Sequence, residues 1–175
     1  AVGRKANIED LGLEKAGVTV DRGRIKVNKQ LETTAQGIYA IGDCVSGPML
    51  AHKAAYDAVI AAKNIVGQEK QEIDYTAIPK CIFTAPEIGM VGIREQEAKA
   101  GETVKIGKFP FAASGKAQAI RDTRGFVKII AQADTGKIMG GHIIGPQATE
   151  LISQIALAMA HTMTVQQFSS VVLAH

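Results

Sequence analysis

Ile38-Tyr39-Ala40-Ile41-Gly42-Asp43 is the stretch on which the reading of this chain turns. Four residues of apolar character have the length and type of a short buried strand. Gly42 then lets the backbone turn tightly and leaves one carboxylate, Asp43, at the strand's end. In open α/β sheets ligands bind in the crevice beyond the carboxyl ends of the strands, where an acid can accept a hydrogen bond from a bound hydroxyl. A strand followed by Gly-Asp is also an ordinary turn, so the flanking sequence must decide between the two.

Downstream, Ser46-Gly47-Pro48 reads as a loop. The Ala-rich run from Leu50, with its strong helix formers, predicts a helix that ends before Gly67. A helix N-terminus presents free backbone N–H groups and about half a positive charge, and this one begins within a few residues of Asp43. A ligand crossing the strand end could bond Asp43 through hydroxyls while its electron-rich end meets the helix start. A routine βα unit with no ligand has the same pattern.

Upstream, Ala1-Val2-Gly3-Arg4 resembles a strand running into a Gly turn, and Ile8 to Ala16 has a short helical pattern. Val18-Thr19-Val20 and Ile25-Lys26-Val27 alternate around Asp21-Arg22-Gly23, the signature of a hairpin.

The 175 residues are 46% hydrophobic and 21% charged, a globular composition with room for one large or two small cores. Twenty basic against 17 acidic residues give a net charge of +3 with no block of like charge, which does not indicate a nucleic-acid partner. The two cysteines, Cys44 and Cys81, lack metal-like or CxxC spacing and read as structural thiols in a reducing compartment. No apolar run approaches the roughly 20 residues that span a bilayer. The chain opens without Met and both ends fall inside apparent motifs, so it is expected to be a piece of a longer protein.

Gln68 to Asp74 is polar and charged, and a domain boundary is placed there. Beyond it the pattern changes. Ile78 to Thr84 and Ile88 to Val91 read as strands around a turn at Ala85-Pro86-Glu87, and Arg94 to Ala100 reads as a short helix closed by Gly101. Val104 to Phe111, Phe126 to Ile130 and Lys137 to Ile144 read as three strands of an antiparallel meander, joined by turns at 121–125 and 134–136. The second domain is therefore α+β. Leu151, Ile152, Ile155, Leu157 and Met159, with the intervening alanines, make a helix apolar over more than one stripe. It is either covered on both sides or an interface, and a small domain favours an interface with a second copy. Val165 to Val171 suggests a last short helix.

Taken together, Thr34, Gly37 to Asp43, Pro48-Met49-Leu50-Ala51-His52-Lys53-Ala54, Thr84-Ala85-Pro86-Glu87 and Val91-Gly92 resemble the dihydrolipoamide dehydrogenases, flavin-dependent disulfide oxidoreductases. Gly-Asp is shared across the flavoprotein disulfide reductases, whereas Leu-Ala-His-Lys-Ala points to the lipoamide enzymes. The resemblance implies an α/β fragment of an FAD-binding domain followed by an α+β interface domain with an antiparallel sheet and flanking helices. It assigns 1–7 to the tail of an NAD-binding domain, 8–72 to the FAD-binding domain and 73–175 to the interface domain.

The resemblance further implies that Asp43 accepts a hydrogen bond from the flavin ribityl chain and that Met49, Leu50, Ala51 and His52 contact the flavin ring. Gly3 would touch NAD, and His175 would be the acid/base that takes a proton from dihydrolipoamide. It also implies a homodimer serving lipoyl domains of a 2-oxo-acid dehydrogenase complex, in the cytoplasm or the mitochondrial matrix. The redox cysteines and flavin phosphate loop of such enzymes are absent here, so the fragment itself is expected to be inactive. Asp57-Ala58 stands where Glu-Gly is usual, a change expected to be tolerated inside the helix. A glutathione- or mercuric-type reductase, or a non-catalytic dimerisation module, are the alternatives.

Overall fold

A computed structural model describes residues 2–67, 70–98 and 103–173. Two compact units emerge, Ala1–Tyr75 and Thr76–His175.

In the first unit, strands β1 (Val20–Asp21) and β2 (Arg24–Ile25) form the expected hairpin, with Val20 opposite Ile25. Its two loop residues both lie at positive φ, Arg22 at 47° and Gly23 at 73°, the backbone twist that two-residue hairpins favour. The predicted helix over Ile8 to Ala16 is instead a series of turns, in which Ala16 N–H donates to the carbonyls of Gly12 and Leu13. Left-handed Asp10 (61°), Gly12 (65°) and Gly17 (74°) interrupt it, a conformation no α-helix can propagate through.

The predicted strand at Ile38–Ile41 is also corrected. It pairs on one side only, through Thr33 N–H to Ile38 O and Ala40 N–H to Leu31 O, and forms an isolated bridge between Glu32 and Tyr39. Ile38 and Ile41 are 41% and 37% exposed, and Ala40 is the residue that the core takes in.

Helix α1 (Ala51–Ile65) starts and stops where the sequence placed it. Its buried stripe, Lys53, Asp57, Ile60, Ala61 and Asn64, follows helical spacing but is more than half polar. Ile60 and Ala61 close over fully buried Leu31. Asn64 satisfies itself against backbone, donating to Gln30 O and Gln71 O and accepting from Gln71 N–H.

The second unit is a five-stranded antiparallel sheet in the order β3 (Lys80–Ile82), β4 (Glu87–Gly92), β7 (Ile138–Gly145), β6 (Phe126–Gln132), β5 (Val104–Pro110). The three-strand meander is present as β5, β6 and β7, with the β3–β4 hairpin added along β7. The β5–β6 connection is not a plain turn. It carries α2 (Gly115–Ile120), whose N-terminus is capped by Ser114 Oγ accepting from Ala117 N–H. Ala117 is its one buried residue, so no apolar period marked it. Of the helix expected at 94–100, a single 3-10 turn at Glu95–Glu97 is described and residues 99–102 lie outside the described residues.

Helix α3 (Ala148–Ala160) lies across β4 and β7, and α4 (Val165–Ser169) follows it. Two strand glycines make the close approach possible. A Cβ at Gly89 would stand 2.5 Å from Ala148 O, and one at Gly141 would stand 2.7 Å from the Ile155 side chain. The core is Val91, Ile138 and Ile143 of the sheet against Ala148, Ile152, Ile155, Ala156 and Ala158 of the helix. The all-round apolar character of α3 thus resolves into one stripe on the sheet, with Glu150, Ser153, Gln154 and Leu157 exposed opposite it.

Glu87 fastens this helix to the sheet. Its Oε2 accepts from both the N–H (3.1 Å) and the Oγ1 (2.7 Å) of Thr149 in the first turn of α3, and these bonds hold its carboxyl below the usual range. Because the folded-state pKa is lowered, the stabilisation is complete above the ordinary carboxylate range and is lost as pH falls through the folded value. Glu87→Gln should lower the unfolding midpoint by a few degrees at neutral pH, and the gap to the parent should close on acidification. A gap that stays constant with pH would rule out the charged bond.

Candidate functional site

The site is built on the loop from Gly42 to Gly47. Gly42 (φ 73°) opens one 3-10 turn, Gly42–Cys44, on which Asp43 is exposed. The loop is anchored from the hairpin side as well, since Arg24 Nη1 donates to Val45 O at 2.7 Å and Val45 is fully buried. Helix α1 packs directly on the turn, and a Cβ at Gly42 would come within 3.3 Å of Ala54 Cβ.

Met49 and Leu50 are half-buried, and Ala51 and His52 are exposed in the first turn of α1. The N-cap residue of this helix, Leu50, is extended and its side chain makes no capping bond. An exposed carboxylate and an uncapped, positive helix end thus lie in the same short stretch. Asp43, on the Gly42–Cys44 turn, and Met49 to His52, at the start of α1, flank the same short loop. Gly3 stands at φ 114° in the irregular, exposed segment ahead of β1, with open space where a Cβ would project. His175 lies outside the described residues.

Sequence reasoning missed what lies under the loop. Lys53 Nζ and Asp57 Oδ2 form an ion pair at 2.8 Å with both side chains 0% exposed. The pair also holds both polar groups of Gly42: Gly42 N–H donates to Asp57 Oδ2 (3.0 Å), and Lys53 Nζ donates to Gly42 O (2.9 Å). Tyr75 donates its hydroxyl to the second Asp57 oxygen at 2.8 Å, and its ring lies 5.0 Å from Lys53 Nζ. Burial, then the Asp57 carboxylate, pushes the Tyr75 phenol above its ordinary range, so it remains the donor. Asp57 lies inside α1, as expected, and is a buried anchor of the loop. Helical spacing puts Lys53, Asp57 and Asn64 on the stripe shared with Ile60 and Ala61, but polar residues on a stripe do not by themselves signal burial.

Cys44 and Cys81 are both free and half-buried, and Cys44 donates to Ile41 O. Burial raises the Cys81 thiol, with Glu150 and Glu87 adding to the effect, which disfavours the reactive thiolate. Among the described residues no group of three or more His, Cys, Asp or Glu could hold a metal ion, and no helix is long and apolar enough to cross a membrane.

Residues 78–175 match the dimerisation domain of the pyridine nucleotide-disulphide oxidoreductases, more than half of the sequence. The chain belongs to that family. Residues 1–58 match the family's pyridine nucleotide-disulphide oxidoreductase domain, so the expected order of an α/β piece and then an α+β dimerisation domain holds.

Among curated family members, a dihydrolipoyl dehydrogenase of Bacillus subtilis (strain 168) is 47% identical over 90% of this chain and 34% of its own length. That of Thermus scotoductus is 45% identical over 100% and 38%, and the mitochondrial enzyme of Sus scrofa 44% over 99% and 34%. The chain thus spans about a third of the length of these relatives. Among solved structures, LpdA from Mycobacterium tuberculosis superposes with a TM-score of 0.90 at 32% identity over 98% of this chain and 38% of that one. The HOCl-induced flavoprotein disulfide reductase RclA from Escherichia coli also gives 0.90, at 27% identity over 100% of this chain and 41% of its own.

Proposed function

We propose that this chain is the carboxyl-terminal part of a dihydrolipoyl dehydrogenase, an enzyme that reoxidises protein-bound dihydrolipoamide with FAD and NAD. The observation that carries the reading is the exposed Asp43 carboxylate on a rigidly held turn beside the uncapped start of α1. The family membership and the 44–47% identity to dihydrolipoyl dehydrogenases support it.

The residues present fit a flavin. Asp43 would accept a hydrogen bond from a ribityl hydroxyl. Met49, Leu50, Ala51 and His52 would hold the flavin ring, and the α1 N-terminus would favour negative charge on it. When bound, FAD supplies two-electron transfer between the dithiol and NAD. At Gly3 the backbone is open to close approach by NAD.

His175 is assigned as the base that takes the proton from a dihydrolipoamide thiol, so that the nucleophile is a thiolate. Cys44 and Cys81 are not a disulfide pair, and the redox disulfide is assigned to residues beyond this chain, which by itself is then inactive. We assign the dimerisation domain to a homodimer, and the partners to lipoyl domains of a 2-oxo-acid dehydrogenase complex. The bacterial and mitochondrial relatives support a location in the cytoplasm or mitochondrial matrix.

Assay of the complete enzyme tests the proposal. It should reduce NAD with dihydrolipoamide, and His175→Gln should lower kcat at least about a hundredfold, the usual worth of a general base, while leaving bound flavin in place. Turnover of glutathione disulfide but not dihydrolipoamide would overturn the substrate assignment, and unchanged turnover in His175→Gln would overturn the base.

A further inference from the structure

The buried pair under the loop has a geometry that plain helix stability does not require. Lys53 and Asp57 are spaced i, i+4 on α1, an arrangement common on exposed helix faces, yet here both are withdrawn completely from water. Burial of two charges is costly, and an apolar pair of similar volume is often no less stable. What an apolar pair could not do is bond the two polar groups of Gly42, which Asp57 and Lys53 take from opposite ends of the residue.

The far end of the loop is held by the same residues. A Cβ at Gly47 (φ 113°) would stand 2.9 Å from the Tyr75 ring and 3.3 Å from Lys53 Cε, so the ring and the Lys53 stem close directly on that backbone. Tyr75 in turn is fixed by its bond to Asp57 and by an edge contact with Tyr56, ring centroids 6.5 Å apart. Both ends of the segment carrying Asp43 are thus gripped by three side chains, of which Lys53 and Asp57 are fully buried.

We propose that Lys53, Asp57 and Tyr75 are a positioning unit that sets the Gly42–Gly47 loop, and through it the Asp43 carboxylate, for flavin binding. This rests on the reading of Asp43 as a ribityl contact. The three residues act through the loop backbone. Tyr75 is the last residue of the first unit, so the unit's final side chain completes the grip on its ligand loop.

The test separates positioning from stability. In the complete enzyme, Lys53→Met with Asp57→Leu removes both charges together and should lower the unfolding midpoint less than Asp57→Ala alone, because no buried charge is left unpaired. The FAD dissociation constant, titrated on apoprotein by flavin fluorescence, should still rise about tenfold or more, the worth of one misaligned charge-assisted bond. Tyr75→Phe, which loses only the hydroxyl, should weaken FAD about threefold. It is the deciding variant if the double substitution does not fold. Asp43→Ala serves as the reference. FAD affinity at the parent value in Tyr75→Phe and in a folded double variant, while Asp43→Ala binds weakly, overturns the positioning unit and spares the flavin site. Parent affinity in Asp43→Ala as well overturns both.

Discussion

Asp57→Ala is expected to destabilise the first unit by about 3–5 kcal/mol, the cost of leaving a fully buried ammonium without its counter-charge. Three donors lose their acceptor at once: Lys53 Nζ, Gly42 N–H and the Tyr75 hydroxyl. Lys53 retains one bond, to Gly42 O. The reverse substitution, Lys53→Met, should cost less. It leaves Asp57 still accepting from two neutral donors, Gly42 N–H and Tyr75, so the remaining group keeps hydrogen-bond partners. Denaturant unfolding followed by circular dichroism should therefore rank the variants Asp57→Ala, then Lys53→Met, then the Lys53→Met and Asp57→Leu pair, from least to most stable. A single substitution at Asp57 that left the midpoint unchanged would show that the charges are not sealed from water.

The second large effect is expected at Gly125, ahead of β6. Its φ of 97° excludes ordinary L side chains, and a Cβ there would lie 1.7 Å from Ile144 O and 2.6 Å from Ile144 C. Neither atom is the movable end of a side chain; both are backbone of β7, at the residue paired with Phe126. Gly125→Ala must therefore separate β6 from β7 at the start of their ladder, as well as bear the backbone strain. Overpacking and a forbidden φ each cost roughly 1–3 kcal/mol, so a loss of several kcal/mol is expected. Gly107 of β5 is the control: nothing lies within 4 Å of its added Cβ, and Gly107→Ala should stay within about 1 kcal/mol of the parent. Equal unfolding midpoints for the two variants would contradict the packing described at Gly125.

How far the residues alone revealed the molecule differs between its halves. The hairpin at Arg22-Gly23, the limits of α1 and the meander of β5, β6 and β7 follow from signals that act locally: two-residue turn chemistry, helix propensity and alternation. Ile38 to Ile41 was read as a buried strand because apolar character was taken for burial. A segment paired on one side only leaves Ile38 and Ile41 partly in water. Helix α2 leaves no apolar period because it buries one alanine, and Ile8 to Ala16 has a helical pattern that its left-handed residues break without any hydrophobic signal.

Of the site, Asp43 and the helix start were visible as a carboxylate and an N-terminus close in sequence. The grip beneath them was not. Tyr75 meets Asp57 from 18 residues away, and an apolar-period search along α1 passes over Lys53 and Asp57, whose burial depends on those distant partners. The glycines that admit α3 to the sheet show the same limit. Gly89 and Gly141 read as weak points in strands until Ala148 and Ile155 are seen against them.

The central claim is that Asp43, on its clamped turn beside the open end of α1, holds a flavin. Titration of FAD into the apo form of the complete enzyme, parent against Asp43→Ala, tests it most directly. The claim predicts a dissociation constant raised at least about tenfold with the unfolding midpoint unchanged, since the Asp43 side chain is exposed and one charge-assisted bond is lost. Parent-level affinity in Asp43→Ala would contradict it.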